Sequence, residues 1–243
     1  MSKSFQGFVL KKSSYLENDL IITIFSKEIS KFNAIGLNAK KSKKRNLNLL
    51  DYFNYLKFYI HSKKKYPIAI IERVDLLESF SPEFLKPEHI FFIQILNEII
   101  NLLVYGTEEN KHLFNLYRET LGKIKKSKNI NYFHEIAMFK LKSLKATGLE
   151  LNPEKCLMCG KSGLFFNYSI EKMGFVCNNC SKNTLKIQAG TIKAIKNLEN
   201  KNVILTRNII KDVNKIFCIN IFHLRGKEKL KKIIKLENSF NGI

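Results

Sequence analysis

Four cysteines come in two pairs, Cys156-Leu157-Met158-Cys159 and Cys177-Asn178-Asn179-Cys180, with 17 residues between them. Each C-x2-C unit turns its two sulfurs toward one point, and a hairpin-sized gap returns the second pair to that point. This is the spacing of a tetrahedral four-cysteine zinc site. A closed shell of four thiolates leaves no open position for water or substrate, so one structural Zn2+ is expected to hold shape and do no chemistry. Gly160 follows the first pair directly and frees the backbone to turn around the sulfurs. Between the pairs, 164–168 reads as a strand, 171–174 as a turn and Phe175-Val176 as the return to Cys177. Two other readings compete. Two disulfides need an oxidising compartment, which nothing in the chain suggests. A redox C-x-x-C needs a thioredoxin-like strand–helix context, which is missing. The fifth cysteine, Cys218, sits in an apolar stretch and reads as a small core residue.

The chain has 243 residues, enough for one large domain or two to three small ones, and its 45% hydrophobic content is that of a folded protein. Met1 to Ser14 holds no continuous apolar segment, and no run of 18 apolar residues occurs. The expected home is the reducing cytoplasm, with no membrane contact.

Net charge is +21, and its distribution says more than its size. Residues 1–80 carry +8 and residues 184–243 carry +9, while 81–155 and 156–183 carry +2 each. Only five of the 42 basic residues are Arg, so an AT-rich genome that inflates Lys accounts for part of the excess. It does not account for a nearly neutral centre between two cationic ends. That asymmetry points to a polyanion, and with zinc beside it to a nucleic acid.

Residues 1–80 read as five short strands: 5–12, 20–25, 31–38 with a bend at Gly36, 51–61 and 66–77. Five strands with basic loops fit a small closed barrel of OB-fold type, although an SH3-like barrel gives a similar pattern. After a two-proline break at 81–87, helices dominate. The segment 88–105 is apolar on most sides, with Gln94, Asn97, Glu98 and Asn101 as one narrow stripe expected to face water. A second helix is expected to be capped by Thr107 and to end in Lys123, Lys125, Lys126 and Lys128. A third spans 132–146 and stops at Gly148. Beyond the cysteines, 189–198, 207–218 and 228–236 read as helices. The expected fold class is therefore α+β and multidomain. It comprises an OB-fold at 1–80, a helical domain at 81–149 and 184–243, and an embedded four-cysteine module at 150–183.

The densest cationic run is Lys40-Lys41-Ser42-Lys43-Lys44-Arg45, placed between strands and read as a loop held out from the barrel. Lys63-Lys64-Lys65 forms a second basic loop, and Lys11 and Lys12 close the first strand. Lys57 is interleaved with Tyr52, Phe53, Tyr55, Phe58 and Tyr59. Cations around a barrel attract phosphates with marked salt sensitivity. Barrel aromatics can stack on unpaired bases, although a strand this rich in rings mostly fills a core. Catalysis finds little support. The five histidines are scattered, and no phosphate-binding Gly-rich loop or nucleophile motif occurs. The chain therefore reads as a protein that binds and does not react. A zinc-ribbon RNA-binding factor of ribosome or transcription is the alternative that the same lysines and cysteines allow.

Together these pieces resemble the RecO family of bacterial recombination mediators. Gly7-Phe8-Val9-Leu10 and Tyr15-Leu16-Glu17-Asn18-Asp19 look like that family's first hairpin. The segment from Gly36 to Lys44 looks like its basic loop. Phe139 to Gly148, then Leu151-Asn152-Pro153 and Cys156-x-x-Cys159-Gly160, look like its last bundle helix running into the zinc module. The resemblance implies an N-terminal OB-fold and no cofactor-driven reaction. It implies binding of single- and double-stranded DNA, annealing of complementary strands, and help in loading the strand-exchange recombinase onto DNA coated by single-strand-binding protein. The implied partners are RecR and the acidic C-terminal tail of that coating protein, and the implied location is the bacterial nucleoid. Asn38 stands where the family often has Gly, and Asn tolerates left-handed backbone better than most residues. Lys replaces Arg at several basic positions, which weakens bidentate phosphate contacts.

Overall fold

The computed structural model describes residues 3–41, 44–62, 68–105, 110–126, 130–149, 151–198 and 203–240, the side chains of 44–46 and 240 excepted. The basic positions Lys43, Lys63, Lys64 and Lys65, and the side chains of Lys44 and Arg45, lie outside that description. The chain divides into two compact units, Met1–Ile130 with Ser239–Ile243, and Asn131–Asn238.

The first unit opens with a closed five-stranded barrel. Its strands are β1 (Lys3–Tyr15), β2 (Asp19–Ser26), β3 (Ser30–Gly36), β4 (Asn54–His61) and β5 (Ile70–Ser79). They close in the order β1-β2-β3-β5-β4, with only β3 and β5 parallel. This order and strand count are those of the OB-fold. Alternation decides the faces: Leu56, Phe58 and Ile60 of β4 point inward, and Lys57, Tyr59 and His61 point outward. Val9, Ile22, Ile24, Ala34, Ile71 and Val74 complete the interior. A 3-10 turn, Lys44–Leu49, pushes Leu47 into that interior. Of the dense basic run, Lys40 and Lys41 lie in the turn after β3, and the backbone of Lys44 and Arg45 opens the 3-10 segment.

Two glycine-dependent or left-handed positions shape the strands. A Cβ on Gly7 would sit 2.4 Å from the Phe25 carbonyl oxygen, so no other residue lets β1 and β2 approach as they do. Asn38 adopts φ +56°, and its backbone N–H donates to Asp19 Oδ1 at 2.8 Å. The Asp19 carboxylate therefore fixes the turn after β3 from the turn after β1.

Helices α1 (Pro87–Leu103) and α2 (Lys111–Lys126) belong to the same unit. They cover an outward apolar patch of the barrel. Phe8 meets Phe114 and Tyr117 of α2 at ring distances of 5.5 and 5.1 Å, and Phe25 meets Phe114 at 5.3 Å. The polar stripe of α1 does not face water, contrary to its helical-wheel reading. Asn97 and Glu98 are buried, and Asn97 Oδ1 accepts the Tyr117 hydroxyl at 2.5 Å. Asn101 accepts the Lys31 ammonium through its carbonyl and its side chain, at 2.9 and 3.0 Å. The cap of α2 is Asn110, whose Oδ1 accepts the Leu113 N–H at 2.9 Å. Thr107, the cap expected from sequence, lies outside the described residues.

The second unit holds α3 (Tyr132–Ala146), then β6 (Asn167–Ser169), β7 (Gly174–Val176) and β8 (Thr184–Lys186). Helices α4 (Ala189–Lys196), α5 (Arg207–Arg225) and α6 (Lys227–Phe240) follow. Asn131 caps α3 by accepting the His134 N–H at 3.1 Å, and Gly148 at φ +79° ends it. The strands form one small antiparallel sheet, β7-β6-β8. Lys140 of α3 is buried, donating to Asn214 Oδ1 of α5 at 2.8 Å and pairing with Glu237 of α6. An ammonium withdrawn from water in this way demands such partners.

Candidate metal centre and nucleic-acid interface

The four cysteines meet at one point. Their sulfurs all lie within 4.8 Å of one another, and Cys159 and Cys177 Sγ are 3.8 Å apart. Zinc–sulfur bonds of about 2.3 Å arranged tetrahedrally set sulfur–sulfur edges of roughly 3.8 Å. All four residues are free thiols. Two tight turns present them. The Gly160 N–H donates to the Cys156 carbonyl at 2.9 Å with Gly160 at φ +71°, and the Cys180 N–H donates to the Cys177 carbonyl at 3.0 Å. The Lys155–Ser162 bridge closes the first turn, and the Leu157 N–H donates to the Phe175 carbonyl at 2.9 Å, tying that turn to β7.

The electrostatics suit a cation. Burial pushes the Cys156 thiol up, but backbone N–H donors of Cys177, Cys159 and Met158 and the Cys159 side chain outweigh it and draw it down to about 6. The Cys177 N–H donates to the Cys156 sulfur at 3.3 Å. Cys180 moves the other way, raised first by its hydrogen bond to Cys177, then by burial and by the remaining sulfurs. The Cys156 thiolate is thus favoured, and Cys180 resists joining it. Four sulfurs in this geometry fit a tetrahedral metal of the Zn2+ kind, which would bind all four and leave no open position. The module is fastened to α5, where Asn220 Nδ2 donates to the buried Tyr168 hydroxyl of β6 at 2.8 Å. Burial, against that hydrogen bond, pushes the Tyr168 phenol up to about 12.

On the barrel, Lys11 and Lys41 are exposed, whereas Lys12 and Lys40 are partly committed. The Lys12 ammonium donates to the Leu50 carbonyl at 3.0 Å and lies 4.7 Å over the Tyr52 ring. The Lys40 ammonium donates to the Glu17 and Leu16 carbonyls at 3.0 and 3.3 Å, so it clasps the β1–β2 turn. Lys57 points outward, 5.2 Å from the Tyr59 ring centre. Of the aromatic cluster, Phe53, Tyr55 and Phe58 are buried, Tyr52 is half-buried against the core, and Tyr59 faces out. Sequence reasoning missed Arg73, which β5 places directly opposite Tyr59 with its guanidinium 4.0 Å over the ring. The signal for it was faint, a lone Arg inside a strand of mixed polarity.

Among the described residues, no helix is long and apolar enough to cross a membrane.

Comparison with known proteins divides the chain directly after the barrel. The family model for the recombination protein O N terminal matches residues 1–80, and that for the recombination protein O C terminal matches 86–214. The DNA repair protein RecO of Clostridium perfringens is 32% identical over 204 residues, covering 81% of this chain and 80% of that protein. The DNA repair protein RecO of Clostridium novyi is 28% identical over 241 residues, 96% of this chain and 92% of that one. The protein of the same name from Syntrophus aciditrophicus is 26% identical over 239 residues, 92% and 91% of the two chains. With both halves of the family matched and a relative this similar over most of its length, the chain belongs to the RecO family.

Proposed function

We propose that this protein is a non-enzymatic mediator of recombinational DNA repair. It binds single- and double-stranded DNA, anneals complementary strands, and helps load the strand-exchange recombinase onto DNA coated by single-strand-binding protein. Repair and recombination are the province of the family to which the chain belongs. The finer roles rest on the barrel's chemistry. Its partners in this reading are RecR and the acidic C-terminal tail of the coating protein, in the bacterial cytoplasm at the nucleoid. One structural Zn2+ on Cys156, Cys159, Cys177 and Cys180 holds the second unit's small sheet.

The observation that carries the reading is the register at one end of the barrel. Ile35, at the end of β3, pairs with Ile70 at the start of β5, and the Ile35 N–H donates to the Ala69 carbonyl at 2.8 Å. The end of β3, followed by Lys40 and Lys41, therefore adjoins the start of β5, which Lys63, Lys64 and Lys65 precede in sequence. In this reading those cations neutralise phosphates, and neutralising two strands at once lets complementary strands meet. Lys11, Lys12 and Lys57 extend the same surface in this reading, with Lys44 and Arg45 beyond Lys41 and Lys43.

The test replaces Lys41, Lys43, Lys44 and Arg45 by Ala and spares Lys40, which clasps the neighbouring turn. Binding to a single-stranded oligonucleotide is titrated across salt concentrations. Affinity is expected to fall, and the log–log salt slope to become shallower by about 0.7 for each phosphate that the variant leaves unneutralised. An unchanged slope assigns phosphate binding to another surface. Preference for an RNA strand of the same sequence would overturn the DNA reading in favour of an RNA-binding factor.

A further inference from the structure

Among the described residues, two Arg–Tyr pairs lie at the barrel, and they are built differently. Arg118 lies 5.0 Å from the Tyr55 ring, but its guanidinium is bound to Glu78 at 2.7 Å. Tyr55 is buried, stacked on Phe8 at 5.0 Å, with its hydroxyl donating to Gln6 Oε1 at 2.6 Å. That pair is sealed: the ring has no free face and the cation has a close carboxylate. Arg73 lies closer to its ring, 4.0 Å over Tyr59, yet its ion pair among the described residues is with Asp75 at 3.7 Å, beyond hydrogen-bond range. The Arg73 side chain is 52% exposed.

The geometry points to a stacking site for an unpaired nucleobase on the outer face of β4 and β5, built from Arg73 layered on Tyr59 with Lys57 beside them. The proposal rests on the reading of the barrel as a DNA-binding surface and adds how that surface holds bases. A guanidinium is planar and weakly hydrated, so one face can lie on a phenol ring while the other takes a second π-system. Tyr59 holds the Arg73 guanidinium over its ring at 4.0 Å. The exposed side of that plane is then a platform for a base, and its edge N–H groups remain to meet base carbonyls. Lys57, 5.2 Å from the same ring, supplies an ammonium for the adjoining phosphate. Tyr59 sits two residues before the end of β4, and Lys63, Lys64 and Lys65 follow that end in sequence. Stacking of this kind is indifferent to base identity but requires the base to be unpaired. It therefore gives the barrel a reason to favour single strands, which phosphate binding alone does not.

The experiment uses the full-length protein and two fluorescently labelled 15-mers with equal numbers of phosphates. One is oligothymidine, and the other carries abasic tetrahydrofuran residues at its central positions. Wild type is expected to favour the base-bearing strand by roughly tenfold. Arg73→Lys keeps the charge and loses the plane, so it is expected to bring the two affinities together by weakening the oligothymidine complex, with the salt slope unchanged. Arg118→Lys, in the sealed pair, should leave the preference intact, and thermal midpoints of both variants verify folding. Equal wild-type affinity for the two strands, or a preference that survives Arg73→Lys, overturns the stacking site while leaving phosphate binding by the barrel standing. Absence of binding to either strand at low ionic strength overturns both.

Discussion

The barrel and the four-cysteine module are both small β-structures, but they are held by different forces. The barrel encloses a buried cluster that runs from Val9 through Phe58 to Val74, and its five strands close on one another. The module's sheet has three strands of three residues each; Tyr168 and Phe175 are buried as one ring pair, and the cluster around the sulfurs is Cys156, Val176 and Cys177, with Phe165 and Cys180 against it. Three of those five residues are the candidate ligands themselves. Apolar burial stabilises by about 25 cal/mol per Å2, so that cluster and the one ring pair together fall short of the backbone entropy of some thirty ordered residues, about 1–2 kcal/mol each. The barrel stands on hydrophobic packing. In the proposed reading the module stands on a metal, with Tyr168 and Asn220 fastening it to α5.

Removing the metal is the most severe way to break that contrast. Structural Zn2+ supplies on the order of 10–16 kcal/mol in isolated finger peptides. Cys156→Ser, or stripping the ion with a chelator, is expected to abolish amide-exchange protection across 153–187 and to leave the barrel strands protected. Retention of protection in a protein shown to hold no metal would mean that the sheet stands without the ion.

The reverse experiment strikes the barrel. Phe58 is fully buried at the centre of its core. Phe58→Ala is expected to lower the stability of the first unit by about 3–5 kcal/mol, seen as an earlier denaturation midpoint. Bound zinc per chain should not change. Loss of zinc in step with barrel unfolding would show that the two are coupled more closely than their separate cores suggest.

The two regions also differed in what could be read from sequence. The cysteine centre was legible because ligand spacing is local chemistry: C-x2-C and a glycine behind it dictate the turn whatever surrounds them. The barrel's strands were legible from alternation, and Asn38 was legible as a residue suited to the left-handed conformation it adopts at φ +56°. Three features were not. The stripe of Asn97, Glu98 and Asn101 showed in the helical period, but periodicity does not say whether water or a partner lies opposite, and here Tyr117 and Lys31 do. The three residues of β8 are too few to show any period. Arg73 could not be matched to Tyr59 because β4 and β5 slip register twice, between Tyr55 and Leu56 and between Tyr59 and Ile60. Bulges of that kind move a pairing by one residue and so decide which side chains share a face. Ligand sets are written locally, whereas binding faces depend on register.

The mildest perturbation compares one substitution at two glycines. A Cβ on Gly160 would have open space around it, so Gly160→Ala meets only the left-handed backbone, at φ +71°. That conformation costs an ordinary residue about 1–2 kcal/mol. With a metal on the four cysteines, as proposed, its binding and the module's folding are one equilibrium, so the cost is expected as a five- to thirtyfold loss of zinc affinity, by the rule of about 1.4 kcal/mol per decade. Competition with a chromophoric chelator measures it. Gly7→Ala in the barrel meets the Phe25 carbonyl instead and changes neither the sulfurs nor their turns. Its strain is expected in the denaturation midpoint of the first unit, with zinc affinity at the wild-type value. If the Gly160 variant instead kept its zinc affinity and lost global stability, the sheet would be contributing to the whole protein's fold rather than drawing its own from the metal.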